Sequence, residues 1–257
     1  MPERDEPGDL ALLTDTVRQA GAIARRYFEG SVKSWSKKGG SPVSEADLAV
    51  DHYLREHLRA ARPVYGWLSE ETPDDPARLK APHVFVVDPI DGTIAFLKRR
   101  PHFTVCAAVV AAGRPVAGVV YNPMTDEMFA AQAGGGAFRN GKPIQVSRRG
   151  GLEGSAMLGN RDSFSRAPWP PLHVQNRNSV ALRLAMVAEG AADAAVSLTA
   201  KCDWDLAAAD IIVSEAGGRI SDRQGSPLLY NQVRPVQPTL IAAGPLLHGE
   251  ILALLRQ

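Results

Sequence analysis

The sequence has little cysteine and no long hydrophobic run. Its two cysteines, Cys106 and Cys202, lie far apart in the 257 residues and form no CxxC pair. They fit neither a disulfide framework nor a structural zinc site, and a reducing cytoplasm is the predicted location. The longest apolar runs, such as residues 105–112, are much shorter than a membrane span. Because residues 1–10 are charged rather than apolar, we expect neither a signal peptide nor a membrane anchor.

Charge of one sign is not in excess either. The chain has 29 basic and 28 acidic residues, which give a net charge of +1. No overall field therefore favours a nucleic-acid polymer or a membrane surface as partner, and any anion must bind to a local group of residues. The composition, 45% hydrophobic and 22% charged, is that of a globular protein and excludes a fibrous or mostly disordered chain.

Apolar residues three or four positions apart predict two amphipathic helices near the start of the chain. The first continues from Leu13 and ends at Gly30. The second begins at a cap of Ser44 and Asp47 and ends before Pro63. We expect a flexible basic loop between them. Its lysines and glycines are Lys33, Lys37, Lys38, Gly39 and Gly40.

The hydrophobic period then shortens to that of strands, and strands and helices alternate towards the C-terminus. Strands are predicted at 64–68, 83–87, 103–111, 114–121, 128–132, 192–198 and near Leu240, with a turn at Asn140-Gly141 and helices from Ser179, from Asp203 and at the C-terminus. This order predicts an α+β fold, with an N-terminal α+β subdomain at 1–146 and a C-terminal α/β subdomain at 147–257. The glycine-rich segment 148–154 is the expected joint.

Residues 86–93, VVDPIDGT, place two carboxylates three residues apart directly after a predicted buried strand. Burying Asp88 and Asp91 there is costly without a positive partner. The proline between them fixes the backbone and Gly92 permits a tight turn, so both carboxylates can converge on one point. The amides of Gly92 and Thr93 then face outward, and amides that lead into a helix bind phosphate. A helix cap made by Asp88 and Asp91 is the alternative.

Two more acidic clusters lie at the ends of predicted elements. Glu70 and Glu71 follow a strand, and Asp203 and Asp205 open a helix. Each carboxylate alone has an ordinary explanation, as a solvated loop residue or as a complement to the helix dipole. Together, the three clusters favour a site for a hard cation, because Mg²⁺ prefers oxygen ligands.

Four motifs, SEADLAVD, SEE, DPIDGT and WDLAAADIIVSEAGG, resemble in this order those of the inositol monophosphatase superfamily of magnesium-dependent, lithium-sensitive phosphomonoesterases. The resemblance implies a layered α-β-α-β-α sandwich, Mg²⁺ as cofactor, a small phosphorylated metabolite as substrate and a homodimer. It also implies two metal positions. Glu70, Asp88 and the Ile90 carbonyl would hold one, and Asp88, Asp91 and Asp205 the other.

The resemblance and the electrostatics imply direct hydrolysis by water, without a phosphorylated enzyme. Thr93, paired with Asp47, would orient and help to deprotonate the water, and Glu70 lies near it. The Gly92 and Thr93 amides would hold the phosphoryl group. A nucleophilic aspartate is the alternative chemistry, but its DxDxT motif is absent from the sequence.

The stretch FLKRRPHFTV after DPIDGT resembles that of CysQ-type 3'(2'),5'-bisphosphate nucleotidases. Lys98, Arg99 and Arg100 are therefore predicted to attract a second phosphate, as in 3'-phosphoadenosine 5'-phosphate, and a solvated loop is the alternative. Leu198 stands where inositol-type members carry a glutamate for substrate hydroxyls, whereas Ile94 stands where nucleotidases often carry lysine. The residues expected to contact the substrate are Asp91, Gly92, Thr93, Asp205 and Lys98.

Other functions stay open. Inositol 1-phosphate and histidinol phosphate are alternative substrates, the latter because its phosphatases share DPIDGT followed by an aromatic residue such as Phe96. A binding or regulatory partner with little turnover is an alternative of another class. The intact set of acidic ligands argues against a purely non-catalytic protein.

Overall fold

A computed structural model describes residues 8–37, 40–165 and 167–256. The helices are α1 (Asp9–Glu29), α2 (Glu45–Ala61), α3 (Thr93–Leu97), α4 (Arg161–Phe164), α5 (Val180–Ala188), α6 (Asp203–Glu215) and α7 (Pro245–Leu255), with a 3₁₀ helix at Pro76–Lys80. The strands are β1 (Ser34–Ser36), β2 (Pro42–Ser44), β3 (Gly66–Ser69), β4 (His83–Asp91), β5 (Thr104–Ala111), β6 (Arg114–Asn122), β7 (Glu127–Gln132), β8 (Gly136–Arg139), β9 (Lys142–Pro143), β10 (Ala156–Leu158), β11 (His173–Gln175), β12 (Ala194–Ser197), β13 (Lys201–Cys202), β14 (Arg219–Ser221), β15 (Val236–Gln237) and β16 (Leu240–Ala243). Within the described ranges, no helix is long and apolar enough to cross a membrane.

Seven of the described strands form the first sheet, in the order β3-β4-β5-β6-β7-β8-β9. β3 pairs in parallel with β4, and the other pairs are antiparallel. Both faces of the sheet are buried, which explains why β5 is apolar at nearly every position rather than at alternate ones. Val105 and Val109 pack into the core on one face, whereas Ala108 and Val110 pack into the core on the other.

The core on the first face joins the sheet to α1 and α2. The apolar stripes of the two helices, which include Val17 and Leu54, pack against Phe85 and Val119 of the sheet. α1 begins at Asp9 and is followed by Gly30, as the periodicity predicts. α2 begins at the predicted Ser44 cap and ends before Pro63. Amphipathic spacing therefore sets the outermost helical layer.

The core on the second face contains α5 and α6 and lies between two sheets. Leu184 of α5 and Ile212 of α6 pack against Val120 of the first sheet and Leu240 of the second. The second sheet has the order β11-β10-β12-β16-β14, and its far face packs on α7 through Ile251. The layers are thus α1/α2, first sheet, α5/α6, second sheet and α7. This confirms the predicted α+β, α-β-α-β-α sandwich.

Several elements differ from the sequence prediction. The expected loop between the first two helices is partly wrong, because β1 and β2 pair there as antiparallel strands. Three-residue strands are too short to show a hydrophobic period, which also explains why β10 and β11 were not predicted. Lys38 and Gly39 of the expected loop lie outside the described residues. Residues 1–7, for which neither a signal peptide nor a membrane anchor is expected, lie outside them as well. The division into 1–146 and 147–257 stays a prediction.

Helix α6 lies very close to the first sheet at Gly118 of β6. A Cβ atom at this position would be 2.6 Å from the carbonyl oxygen of Ala208 and 2.9 Å from its Cα. Both atoms are backbone, so they cannot move aside as a flexible side chain can. The glycine therefore permits close contact between sheet and helix, and α6 also contacts β4 and β5.

Candidate active site

Three carboxylates from two layers meet at one end of the first sheet. Asp88 and Asp91 lie at the end of β4, where the register with β5 shifts between them. Asp205 lies in the first turn of α6. One carboxylate oxygen of each lies within 4.8 Å of the others, in the part of the chain that the structure describes. The fold therefore brings together three residues predicted as metal ligands, although Asp91 and Asp205 lie far apart in the sequence.

Burial makes this cluster unfavourable when it is fully ionised. Burial raises the pKa of Asp88 well above its usual value, and the negative charges of Glu70 and Asp91 add to this rise. Burial also raises the pKa of Asp91 to about 6. For Asp205, burial first and then the charge of Asp91 raise the pKa to about 8. A hard cation would relieve the repulsion, and a set of carboxylate oxygens fits Mg²⁺.

The N-terminus of α5 holds the Asp91 carboxylate. Asp91 Oδ2 accepts hydrogen bonds from the Ser179 hydroxyl and the Ala181 amide, each 2.6 Å long. Ser179 also caps α5 by accepting a hydrogen bond from the Leu182 amide at 2.9 Å. Both contacts of Asp91 use the same oxygen, so Oδ1 is not engaged by them. The sequence marks Ser179 as a helix start, but only the tertiary structure pairs it with Asp91.

Thr93 ends the turn at residues 90–93, called the phosphate loop because its amides are predicted to bind phosphate, and lies against α2. Its hydroxyl is 3.2 Å from Asp47 Oδ1 and 3.1 Å from the Ile90 carbonyl oxygen. The Ser44 amide and hydroxyl donate to the other oxygen of Asp47, at 2.8 and 2.5 Å. Burial raises the pKa of Asp47, against the hydrogen bonds from Ser44 and Thr93. The helix cap predicted from the sequence therefore also directs a buried carboxylate at Thr93.

Gly92 gives the phosphate loop its sharp turn. Its φ of 97° lies in the left-handed region, which favours glycine. A Cβ atom here would be 3.0 Å from both the His102 carbonyl oxygen and the Ser179 amide nitrogen. Backbone from two parts of the chain thus packs directly against Gly92, and a larger residue would displace the loop.

Glu70 lines the same cleft but is not one of the three clustered carboxylates. Lys37 Nζ is 2.9 Å from Glu70 Oε1 and 2.7 Å from Glu71 Oε1. Burial raises the pKa of Glu71 to about 7, although Lys37 opposes this rise. The prediction of a flexible basic loop is therefore wrong for Lys37, because two glutamates hold its ammonium group. No local sequence signal pairs this lysine with the second acidic cluster.

The cleft beside the cluster has a volume of about 200 Å³. It is lined by most of the residues predicted for metal or phosphate contact, namely Glu70, Asp88, Ile90, Asp91, Gly92, Thr93 and Asp205. Ser41, Pro42 and Asn178 line it as well and were not predicted, and Ile94 is exposed at its mouth. Asp47 lies behind Thr93, whose hydroxyl connects it to the cleft.

The predicted substrate contact of Lys98 is not supported by its position. Lys98 is exposed at the C-terminal end of α3 and is not part of the cleft lining. The helix carries it about 9 Å along the axis from Gly92. Arg99 donates hydrogen bonds to the carbonyl oxygens of Tyr27 and Gly30 at the end of α1. Arg99 is therefore engaged by the end of α1, whereas the role of Lys98 in substrate binding stays a prediction.

Arg100 lies in a different environment from its two neighbours. Burial lowers the pKa of His102, and the positive charges of Arg177 and Arg100 lower it further. The His102 backbone in turn contacts Gly92. Arg183 holds the segment that carries Arg177 by donating to the Arg177 carbonyl oxygen at 2.6 Å. Arg100 and Arg177 thus place positive charge around His102, and Arg183 acts on Asp91 itself, where its charge opposes the rise in the pKa of that carboxyl.

A layered α-β-α-β-α fold with an acidic cleft at one end of its first sheet is the architecture of a family of phosphatases. The chain belongs to the inositol monophosphatase family, whose family model matches residues 9–257. An inositol-1-monophosphatase of Rhizobium meliloti (strain 1021) is 34% identical over 230 residues, which cover 84% of this chain and 86% of that protein.

Two further relatives differ in the names they carry. The 3'(2'),5'-bisphosphate nucleotidase CysQ of Aggregatibacter actinomycetemcomitans is 31% identical over 237 residues, covering 86% of this chain and 88% of that protein. The crystal structure of the extragenic suppressor protein suhB from Bartonella henselae has a TM-score of 0.83 at 29% identity, and the match covers 96% of this chain and 98% of that chain. The family is therefore shown, and its named members do not share one substrate.

Proposed function

We propose that the protein is a magnesium-dependent phosphomonoesterase that hydrolyses a small phosphate ester with water as the nucleophile. The observation that supports this function is the convergence of Asp88, Asp91 and Asp205 beside the backbone of Gly92 and Thr93. Buried like charges need a cation, and the adjacent loop amides are suited to bind a phosphoryl group.

In this proposal, Glu70 and the Ile90 carbonyl complete the ligand set around the three carboxylates. Bound Mg²⁺ supplies positive charge that offsets the negative charge of the reacting phosphoryl group. The amides of Gly92 and Thr93 donate hydrogen bonds to the phosphoryl oxygens. The Thr93 hydroxyl takes a proton from the attacking water as it passes its own proton to Asp47, whose raised pKa suits it to receive one. The leaving alkoxide takes a proton from solvent, and Asp47 later returns its proton to solvent.

Among phosphate esters, we propose a 3'(2'),5'-bisphosphate nucleotide, with inositol 1-phosphate and histidinol phosphate as alternatives. The support from Leu198 comes from the sequence resemblance alone, because inositol-type members carry a hydrogen-bonding glutamate at this position and leucine cannot bind the hydroxyls of a polyol. Arg100 and Arg177, close to His102, supply positive charge for a second phosphate. Of the predicted triplet Lys98, Arg99 and Arg100, Arg99 is held by the end of α1, so Arg100 is the stronger candidate.

A panel of phosphate esters tests this function. Phosphate release is measured with MgCl₂ and with EDTA, using 3'-phosphoadenosine 5'-phosphate, inositol 1-phosphate, histidinol phosphate and fructose 1,6-bisphosphate. We expect magnesium-dependent release, with the highest kcat/KM for the bisphosphate nucleotide. A higher kcat/KM for inositol 1-phosphate would keep the phosphatase and overturn the nucleotide preference. Near-zero turnover on the whole panel would favour a binding or regulatory role.

Three further properties belong to the proposal. Lithium in the millimolar range should inhibit, and Ca²⁺ should inhibit because a larger ion with looser geometry does not align the reacting groups in the same way. A cytoplasmic location follows from the two free cysteines, Cys106 and Cys202. A homodimer is expected, and light scattering of the purified protein would test it.

A further inference from the structure

Helix α2 carries a second buried carboxylate, Asp51, one turn after Asp47. Asp51 is 8% exposed and lies outside the cleft lining. Its Oδ1 accepts a hydrogen bond from the Ser69 hydroxyl at 2.5 Å, and its Oδ2 accepts one from the Thr72 hydroxyl at 2.7 Å. Each oxygen of the carboxylate therefore binds one end of the segment 69–72.

This segment carries Glu70, and further hydrogen bonds connect it to the first sheet. Ser69 is the last residue of β3, and the Glu70 amide donates to the carbonyl oxygen of Val87 in β4 at 3.4 Å. The Trp67 indole N–H donates to the Thr72 hydroxyl oxygen at 3.3 Å. The turn is thus connected to the sheet on one side and to α2, through Asp51, on the other.

We propose that Asp51 is a positioning residue that holds the 69–72 turn so that Glu70 faces the cleft. The inference rests on the proposed function in one respect, the assignment of Glu70 as a metal ligand. Asp47 and Asp51 are four residues apart and so lie on the same side of α2. One rigid helix therefore sets the spacing of two loops, the phosphate loop through Thr93 and the acidic turn through Asp51.

The chemistry of the contact favours positioning over general stabilisation. A buried carboxylate is costly, and an apolar residue between helix and sheet would pack without that cost. A carboxylate provides what an apolar residue cannot, namely two acceptor oxygens at a fixed spacing. Two hydroxyl donors that flank Glu70 use both of them.

Asp51→Asn tests the inference, because asparagine is uncharged and has one acceptor oxygen, so one hydroxyl must accept from the amide instead of donating to a carboxylate, and both charge-assisted contacts are weakened. We expect the Mg²⁺ affinity, measured by isothermal titration calorimetry, to fall about tenfold, at the lower end of the effect of losing an outer partner of a metal ligand. The Mg²⁺ concentration for half-maximal phosphate release should rise by the same factor. At saturating Mg²⁺ the substrate KM should not change.

Asp210→Asn is the matched control. Asp210 is also buried and also accepts two hydroxyl hydrogen bonds, from Tyr230 at 2.7 Å and from Ser214 at 3.1 Å. These contacts lie further along α6 and do not involve the Glu70 turn. The control should lower the melting temperature and leave the Mg²⁺ affinity unchanged.

Thr72 offers a second test that does not depend on the folding of Asp51→Asn. Thr72→Val removes the hydroxyl and should weaken Mg²⁺ binding, whereas Thr72→Ser keeps the hydroxyl and should bind Mg²⁺ as the wild type does. The losses in Asp51→Asn and Thr72→Val should not multiply in the double variant, because both remove the same contact.

The outcomes separate this inference from the proposed function. Wild-type Mg²⁺ affinity in folded Asp51→Asn, or in Thr72→Val, overturns the positioning role. An equal loss of Mg²⁺ affinity in Asp210→Asn overturns it as well, since the effect would then reflect stability alone. A wild-type protein that binds Mg²⁺ but hydrolyses no ester contradicts the proposed function, and the calorimetric comparison still decides the role of Asp51.

Discussion

The Ser179 hydroxyl donates a 2.6 Å hydrogen bond to Asp91, and this contact joins two distant parts of the chain at the cleft. Asp91 ends β4 in the first sheet, and Ser179 precedes α5 in the helical layer between the sheets. Because the Ala181 amide binds the same oxygen, the start of α5 favours the ionised form of Asp91. The candidate site therefore lies at a contact between layers, where ligand sites are often found.

Replacing Asp88 by asparagine should abolish magnesium-dependent hydrolysis without weakening the metal-free fold. Loss of a proposed metal ligand should lower activity more than loss of a residue that only orients a ligand, so we expect kcat to fall by more than about 100-fold. The substitution also removes one of several buried carboxylates that repel each other, so the melting temperature in EDTA should not fall. Near-wild-type turnover in the folded variant would contradict the proposed metal site. The two measurements are steady-state kinetics and a thermal melt.

The stability of the metal-free protein should fall as the pH rises. An unfolded aspartate ionises near pH 3.8, whereas Asp205 has a pKa of about 8 and Asp91 of about 6 in the folded state. Between these values the folded state holds protons that the unfolded state has lost, so the free energy of unfolding decreases with increasing pH. Their stabilising effect is complete below the unfolded pKa and is lost as the pH passes the folded pKa.

Magnesium should compensate for this loss, because it competes with the same protons. The rise in melting temperature caused by Mg²⁺ should therefore be larger near pH 8 than near pH 6, on the pKa values of Asp205 and Asp91. Thermal melts over this range, with EDTA or MgCl₂, measure both effects. In EDTA, the melting temperature of Asp205→Asn should depend less on pH than that of the wild type. An unchanged pH dependence in that variant would assign the loss of stability to other groups.

The Thr93 hydroxyl should be required for turnover and not for folding. Thr93→Val keeps the shape of the side chain but removes the contact with Asp47, so we expect kcat to fall by about 100-fold, as for loss of general base assistance. Thr93→Ser restores the hydroxyl and should recover most of the activity. Equal kcat in the valine and serine variants would exclude a role for the hydroxyl in the reaction.

Substitution by alanine should affect stability at Arg99 and substrate preference at Arg100. Arg99→Ala removes hydrogen bonds to the end of α1 and should lower the free energy of unfolding by about 1 kcal/mol, with no change in the preference between bisphosphate nucleotide and inositol 1-phosphate. Arg100→Ala should reduce this preference, chiefly through KM, because a distal phosphate binds ground and transition states alike. The two variants are compared by denaturant unfolding and by kcat/KM on both substrates. A changed preference in Arg99→Ala alone would reverse the assignment.

Local sequence patterns predict long elements well and contacts between elements poorly. The stripe of α1, the Ser44 cap of α2 and the meander β5 to β7 are local features, and the structure shows them where the sequence predicts them. The ion pair of Lys37 with Glu70 and the contact of Arg99 with the end of α1 depend on how separate elements pack. No periodicity or capping signal specifies such pairs, so the basic residues were the least well predicted.

The same distinction applies within the candidate site. The acidic residues are identified by three clusters at element ends taken together and by the family resemblance of the motifs around Asp88 and Asp205, since each carboxylate alone has an ordinary explanation. The partners that orient them, such as Ser179 and Asp51, look like ordinary helix residues in the sequence. Their importance follows from distances that only the folded chain provides.

The layer of α5 and α6 between the sheets also has consequences during translation. When the first sheet leaves the ribosome, α1 and α2 can cover one apolar face, but the other face stays bare until α5 and α6 have been synthesised. A nascent chain at this stage exposes a surface prone to aggregation. Asp205 emerges with α6, so the three clustered carboxylates can come together only after α6 has docked on the first sheet.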